Sequence, residues 1–332
     1  MARTARSLVA SAAALACSPW ALAQAEAQPA PQQTLTSATE AVAAERPPET
    51  GGSGSTITPP SPSNTAAPDG TQSDFHLTFA AEITSAYYFR GIRQEDRGFI
   101  VQPTLTVSYT VLKNDTFSVT LDAGTWNSFH DRATGAGSNS DFDDKWYECD
   151  LFGGVTFAAG KWSLRTFYTW YSSPNGAFRE VHEIAGTLAY DDSDLLGAFA
   201  LHPSLTIAHE LGPNGADGPG KGDGTYLELG LTPGFDILSP GDQRGWGLRL
   251  NFPQVLGVSL ANYYENDAGK GQTFGFYETG ARLIATAPSR GSVTFSFWGG
   301  VRALFLGDAT REFNRHREST QVIGVVGASV GF

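Results

Sequence analysis

At a period of two, the chain places a recurring set of ionisable side chains on one face of successive segments. Glu82, Asp122, Glu148, Asp150, Glu183, Glu210, Glu228 and Glu278 stand there against Arg90, Arg165, Arg249, Arg282 and Arg302. Their neighbours along the chain are mostly apolar, so the charges point away from an apolar face. Inside a protein such charges must be paired or wet, because an isolated buried charge is costly. If water runs between them, the excess of carboxylates makes a narrow pore with a weak preference for cations. If arginine–carboxylate pairs cross the interior, the charges are structural and the lumen is closed. The pore is the expectation adopted here, with these residues lining it and selecting charge. Tyr88, Trp126 and Trp298 share the inward face, where they pack the wall or guide a small organic solute.

Covalent chemistry has less to stand on. His130, His182, His209 and His316 fall near segment ends, and Ser128 and Ser172 supply hydroxyls, but no G-x-S-x-G motif accompanies them. Ser128 and His130 are two residues apart and are assigned to the apolar face. No enzyme is expected. Asp141, Asp143 and Asp144 form a D-F-D-D run that matches no calcium loop. The glycine-rich stretch 218–224 lacks the strand-to-helix setting of a phosphate loop. Neither a metal nor a cofactor is expected.

The elements that must carry these side chains are strands. Alternating segments fall at 75–90, 98–112, 116–130, 145–158, 162–172, 180–190, 199–211, 224–236, 245–263, 274–287, 291–306 and 319–332. The connections after odd segments are mostly long and polar, and those after even segments mostly short, such as Lys113-Asn114-Asp115 and Ala159-Gly160-Lys161. This sorting is how up-and-down membrane barrels are built, whereas a soluble sandwich has no reason for it. Aromatics near segment ends on the apolar face, among them Phe75, Tyr87, Phe89, Tyr109, Phe129, Tyr147, Trp162, Trp170 and Trp246, read as interfacial girdles. The last segment ends on Phe332, which reads as the signal that presents a barrel to its insertion machinery.

The expected fold is therefore all-β, a transmembrane antiparallel up-and-down barrel of about twelve strands over 74–332. Before it, residues 1–23 read as an export signal, with Arg3 and Arg6, a short apolar run and an Ala21-Leu22-Ala23 cleavage site. Residues 24–73 are rich in Pro, Ala, Ser and Thr without aromatics and read as a disordered periplasmic tether. The net charge of −12 argues against nucleic acid as a partner. The expected partners are outer-membrane lipid, the insertion machinery, and small polar solutes or ions, and the expected location is the bacterial outer membrane. The second long connection, 131–144, is long enough to fold inward and narrow the lumen.

The most distinctive local string is Thr84-Ser85-Ala86-Tyr87-Tyr88-Phe89-Arg90-Gly91-Ile92-Arg93-Gln94. It resembles the S-x-Y-x-F-R-G-x-x-Q opening of the porin-like proteins called the TorF family, and the likeness continues as general pattern over 75–332. The resemblance implies an outer-membrane barrel with a transport function and carries over no substrate or catalytic residue. The residues themselves place Tyr87 and Phe89 toward lipid at the rim, and Tyr88 and Arg90 toward the lumen. There Arg90 can reach an acidic partner, and Gly91 permits a sharp turn.

Overall fold

A strand that is apolar on one face and polar on the other must bury one of them and pair both backbone edges, and this chain meets both demands by closing one sheet on itself. A computed structural model describes residues 74–132, 134, 142–215, 218–219, 222–238, 245–266 and 268–332; the expected signal and tether lie outside the described residues. The barrel strands are β1 (Phe75–Thr84), β2 (Ile100–Lys113), β3 (Phe117–His130), β4 (Trp146–Ala159), β5 (Trp162–Ser172), β6 (Val181–Tyr190) and β7 (Ser204–Leu211). They continue with β8 (Thr225–Leu231, resuming as Gly234–Leu238), β9 (Gly247–Asn251, resuming as Gln254–Ala261), β10 (Phe274–Thr286), β11 (Thr294–Leu306) and β12 (Thr320–Gly331). The interruptions fall at Pro233 and Pro253, which have no N–H to give to a neighbouring strand.

Every neighbouring pair is antiparallel, and β1 pairs with β12 from Thr78↔Gly331 to Thr84↔Val325, so the twelve strands form a closed barrel without an edge. Long connections gather at one end and short turns at the other. In the turn after β2, the Asn114 side chain accepts from the N–H groups of Thr116 and Phe117 and fixes the reversal. The exterior is apolar: Leu121, Phe297, Val301 and Val326 are among its exposed side chains, and Phe75, Tyr109, Trp162 and Trp246 are about half exposed near the short-turn end.

The long-loop end departs from expectation. β1 stops at Thr84, not 90, and residues 87–95 leave the sheet as a separate hairpin, Tyr87–Phe89 paired with Ile92–Glu95. Ser85 marks the exit: its N–H donates to Gly324 O at 3.0 Å while its hydroxyl accepts from Gly324 N–H at 2.9 Å. The hairpin touches β3 through Trp126, β4 through Glu148, β5 through Tyr171 and β6 through Glu183. Gly91 packs against Phe276 of β10, on another part of the ring. A segment that meets walls this far apart around the ring sits inside it, and Tyr87, Tyr88, Phe89 and Ile92 are at most 2% exposed.

Tyr87 and Phe89 thus do not face lipid. The turn at Arg90–Gly91, where both φ angles are positive (43° and 83°), folds the string back on itself. Tyr147 also leaves the girdle: Ser128 pairs with Glu148 and Phe129 with Trp146, so Tyr147 is the extra residue of a β-bulge and turns inward. The first long connection enters the lumen. Of the second long connection, expected to narrow the lumen, residues 133 and 135–141 lie outside the described residues.

Candidate functional site

The inner hairpin and the wall it meets form one polar network. At the tip, Arg90 donates from Nη1 to Glu183 Oε2 at 2.6 Å and from Nη2 to Glu183 Oε1 at 2.9 Å, a bidentate pair between two buried side chains. Nη1 also donates to the Tyr263 hydroxyl at 2.8 Å, and Tyr171 donates to Glu183 Oε1 at 3.0 Å. The guanidinium lies over the Tyr226 ring at 4.2 Å, with the Phe89 and Tyr263 rings at 4.8 and 5.3 Å. Tyr264 donates to the Arg90 carbonyl at 2.9 Å. The sequence expectation of an acidic partner for Arg90 holds. Tyr263 and Tyr264, which the alternation does not pick out, complete its seat from the connection after β9.

The flanks of the hairpin are tied as well. Tyr87 donates to Glu148 at 2.8 Å, Tyr88 to Asn314 at 2.6 Å, and the Tyr147 hydroxyl to Gln94. The Thr134 hydroxyl donates to Glu95 at 2.8 Å, so it accepts from His130 Nδ1 at 2.7 Å; His130 Nε2 then accepts from Ser128 at 2.9 Å. Ser128 and His130 therefore face the interior, not the apolar side, because the alternation that turns Asp122 and Trp126 inward continues to them. Ser128 is fully buried.

Beyond the hairpin, Asp96 accepts from Arg315 at 2.8 and 3.0 Å and from Arg93 at 3.4 Å, clasping the first long connection to the last. Burial opposes the Asp96 charge, but the hydrogen bond from Arg315 and the charges of Arg93, Arg315 and Arg97 hold its carboxyl below the ordinary value of 3.8. A carboxyl depressed in the folded state contributes stability above its unfolded pKa and loses it as pH falls through the folded one. The clasp is accordingly expected to persist through mild acid and fail only below about pH 3.8. Tryptic cleavage after Arg93 and Arg97, following brief acid exposure and return to neutral pH under conditions where reclosure is slow, checks this. Cleavage that already rises between pH 6 and 5 would sink it.

The other predicted lining residues fall into pairs. Asp122 accepts from Arg165 at 3.1 and 2.6 Å, and the guanidinium stacks on Phe167 at 4.2 Å. Glu82 accepts from Arg282 at 3.2 Å and from Trp298 at 2.8 Å; Glu278 accepts from Arg302 at 3.3 and 3.4 Å. Arg249 donates to Asp236 at 3.1 Å, a carboxylate the alternation did not single out. Glu228 accepts from Tyr226 at 2.7 Å. Among the described residues, Glu148, Asp150 and Glu228 form no ion pair, and the buried Glu148 and Asp150 carboxyls hydrogen-bond each other.

Exposure grades along the barrel. The side chain of Glu183 beneath the hairpin is 2% exposed, Asp122 is 11%, Arg165 31%, and Arg249 at the short-turn mouth 36%. The inward side chains at the short-turn mouth are thus more exposed than those beneath the hairpin.

On the exterior near the long-loop end, His182 meets the Tyr168 hydroxyl and stacks with Trp170 at 6.4 Å, while His209 hydrogen-bonds Thr225 at 3.0 Å. In the β6–β7 turn, Asp191, Asp192 and His202 offer ligand atoms within 4.8 Å of one another, but the Asp192 carboxylate already accepts from the N–H groups of Leu201 and His202.

A family model described as "Bacterial protein of unknown function (Gcw_chp)" matches residues 68–235. No curated protein matches the sequence. Solved structures similar to this chain include an outer membrane channel from Pseudomonas putida F1, at 10% identity and a TM-score of 0.45, covering 80% of this chain and 97% of that one. The NanC porin matches at 9% identity and a TM-score of 0.37, over 77% and 98% of the two chains. LpxR from Salmonella typhimurium matches at 9% identity and 0.41, over 77% and 99%.

Proposed function

The chain belongs to the Gcw_chp family of bacterial proteins of unknown function, and we propose that it is an outer-membrane channel for small hydrophilic solutes or ions, weakly cation-preferring and closed from outside by its inner hairpin. The observation that carries this reading is the lumen: an interior lined by the partly exposed Asp122, Arg165 and Arg249, ending at a wall where Glu148, Asp150 and Glu228 form no ion pair among the described residues. A barrel that served only as an anchor would have no use for carboxylates whose burial must be offset. The apolar exterior and half-exposed aromatics suit lipid, the TorF-like opening and the export-type start suit an outer-membrane destination, and the terminal Phe332 suits the insertion machinery.

No covalent chemistry is assigned. Ser128 is out of reach of a substrate, and His182, beside Tyr168 and Trp170, reads as a polar side chain at headgroup level. No nucleic-acid partner and no cofactor enter this reading.

Single-channel recording of the full protein in a planar bilayer with a KCl gradient tests the proposal. Discrete, infrequent steps with a cation-biased reversal potential are expected. The variant Glu148→Gln/Asp150→Asn is expected to keep the steps and to move the reversal potential toward zero, since the two carboxylates are buried on the inward face of β4. An unchanged reversal potential would remove the selectivity claim. The hairpin itself favours a second reading, a non-conducting scaffold, and a well-inserted barrel that stays silent would establish it.

A further inference from the structure

The two-residue turn Arg90–Gly91 has φ of 43° and 83°, and Phe89 pairs with Ile92 across it. Turns of this hand favour asparagine or aspartate followed by glycine; a long side chain at the first position occupies a conformation that L residues adopt at a cost. Arginine is held there nonetheless, and its guanidinium fills a cage: Glu183 on one side, Tyr171 bracing that carboxylate, the Tyr226 face above, and Tyr263 at the edge.

Further carboxyl groups line the surrounding wall. Glu210 lies directly across from Glu183 in the β6–β7 register, Glu228 accepts from Tyr226, and Glu148 and Asp150 continue the inward face of β4. This is the acceptor and ring set that recognises a guanidinium or an alkylammonium ion, through bidentate acceptance by a carboxylate and the negative faces of aromatic rings.

We propose that Arg90 is a tethered occupant of a binding site for free cationic solutes bearing a guanidinium or amine, and that such a solute takes the seat on Glu183 and releases the hairpin. Withdrawing Arg90 alone would leave Glu183 buried without its cation, which is strongly disfavoured. Exchanging one cation for another avoids that cost, so the seal opens to the class of solute that matches the cage and not to neutral molecules. Any transport that follows rests on the channel reading above; the binding site does not.

The test uses the full chain in lipid nanodiscs with ethylguanidine as the probe and KCl of equal ionic strength as the control. Amide hydrogen exchange over 87–95 is expected to rise about tenfold when ethylguanidine reaches ten times its dissociation constant, and to ignore KCl. Arg90→Gln, which vacates the seat, is expected to bind ethylguanidine at least about tenfold more tightly by calorimetry, since no tethered competitor remains. Arg90→Gln/Glu183→Gln is expected to lose that binding. No binding to Arg90→Gln overturns the site, and binding confined to Arg90→Gln, with wild-type exchange unmoved, overturns the displacement. Bilayer recordings on the same samples separate the two readings. Silent membranes with intact probe binding would remove the channel and keep the cage, whereas conduction without probe binding would do the reverse.

Discussion

Excision of Tyr87–Glu95, with Ala86 joined to Asp96 through a short glycine–serine linker, is expected to convert a barrel that is closed most of the time into one that conducts steadily. The hairpin pairs only with itself, while β1 makes its ladders to β2 and β12 over 75–84, so no strand-to-strand hydrogen bond of the barrel is removed. What is removed is the material that fills the lumen: Tyr87, Tyr88, Phe89 and Ile92, each fully buried or nearly so, and the guanidinium that spans to Glu183. Burying each large side chain is worth about 1.5–3 kcal/mol, so the excised barrel should also unfold more readily. Its heat-modified electrophoretic shift should begin at a lower temperature than in the wild type. Continuous conductance with a larger unitary step is the expected recording. An excised barrel that inserts, shifts on heating and stays silent would mean that something other than the hairpin closes the lumen, and the scaffold reading would stand.

Most of the barrel is legible in the alternation, because a period of two is imposed locally by the strand and does not depend on which strand lies next door. The third segment shows it: Asp122 and Trp126 against Leu121 and Ala123 is the same division that the closed sheet displays. What the alternation could not reveal is where a segment stops being part of the sheet. Tyr87, Tyr88, Phe89 and Arg90 continue the period of β1 without a break, so the string reads as a longer strand. The available signal was the Arg90–Gly91 pair between two apolar residues, which marks a two-residue hairpin turn. Tyr147 was misplaced for a related reason, since a bulge shifts the phase by one and leaves no trace in composition.

The ion pairs divide in the same way. That the inward charges would need partners follows from their burial, and most have one. Asp122 with Arg165 lies between strands separated by one neighbour, but Glu82 with Arg282 exists only because closure brings β10 near β1. No reading of a single segment contains that information. The same holds for the seat of Arg90, assembled from β5, β6, β8 and the connection after β9.

Gly91→Val should reproduce much of the excision phenotype with a single substitution. The backbone there has φ of 83°, and a Cβ would lie 2.9 Å from the Cβ of Phe276, so a β-branched residue meets both a forbidden conformation and a wall of β10. Left-handed strain of this kind costs about 1–3 kcal/mol. Confined to the closed state, that is about one to two orders of magnitude in the ratio of closed to open. The guanidinium is still present in this variant, so it separates the turn from the cage. Arg90→Asn makes the opposite separation, since asparagine suits the turn but cannot bridge to Glu183. If the hairpin is seated by both features, each variant raises open probability in bilayer recordings, and only Gly91→Val keeps a response to ethylguanidine through the retained competitor. A Gly91→Val protein as firmly closed as the wild type would show that the lumen tolerates a rebuilt tip, and that the positive-φ turn is incidental to the seal.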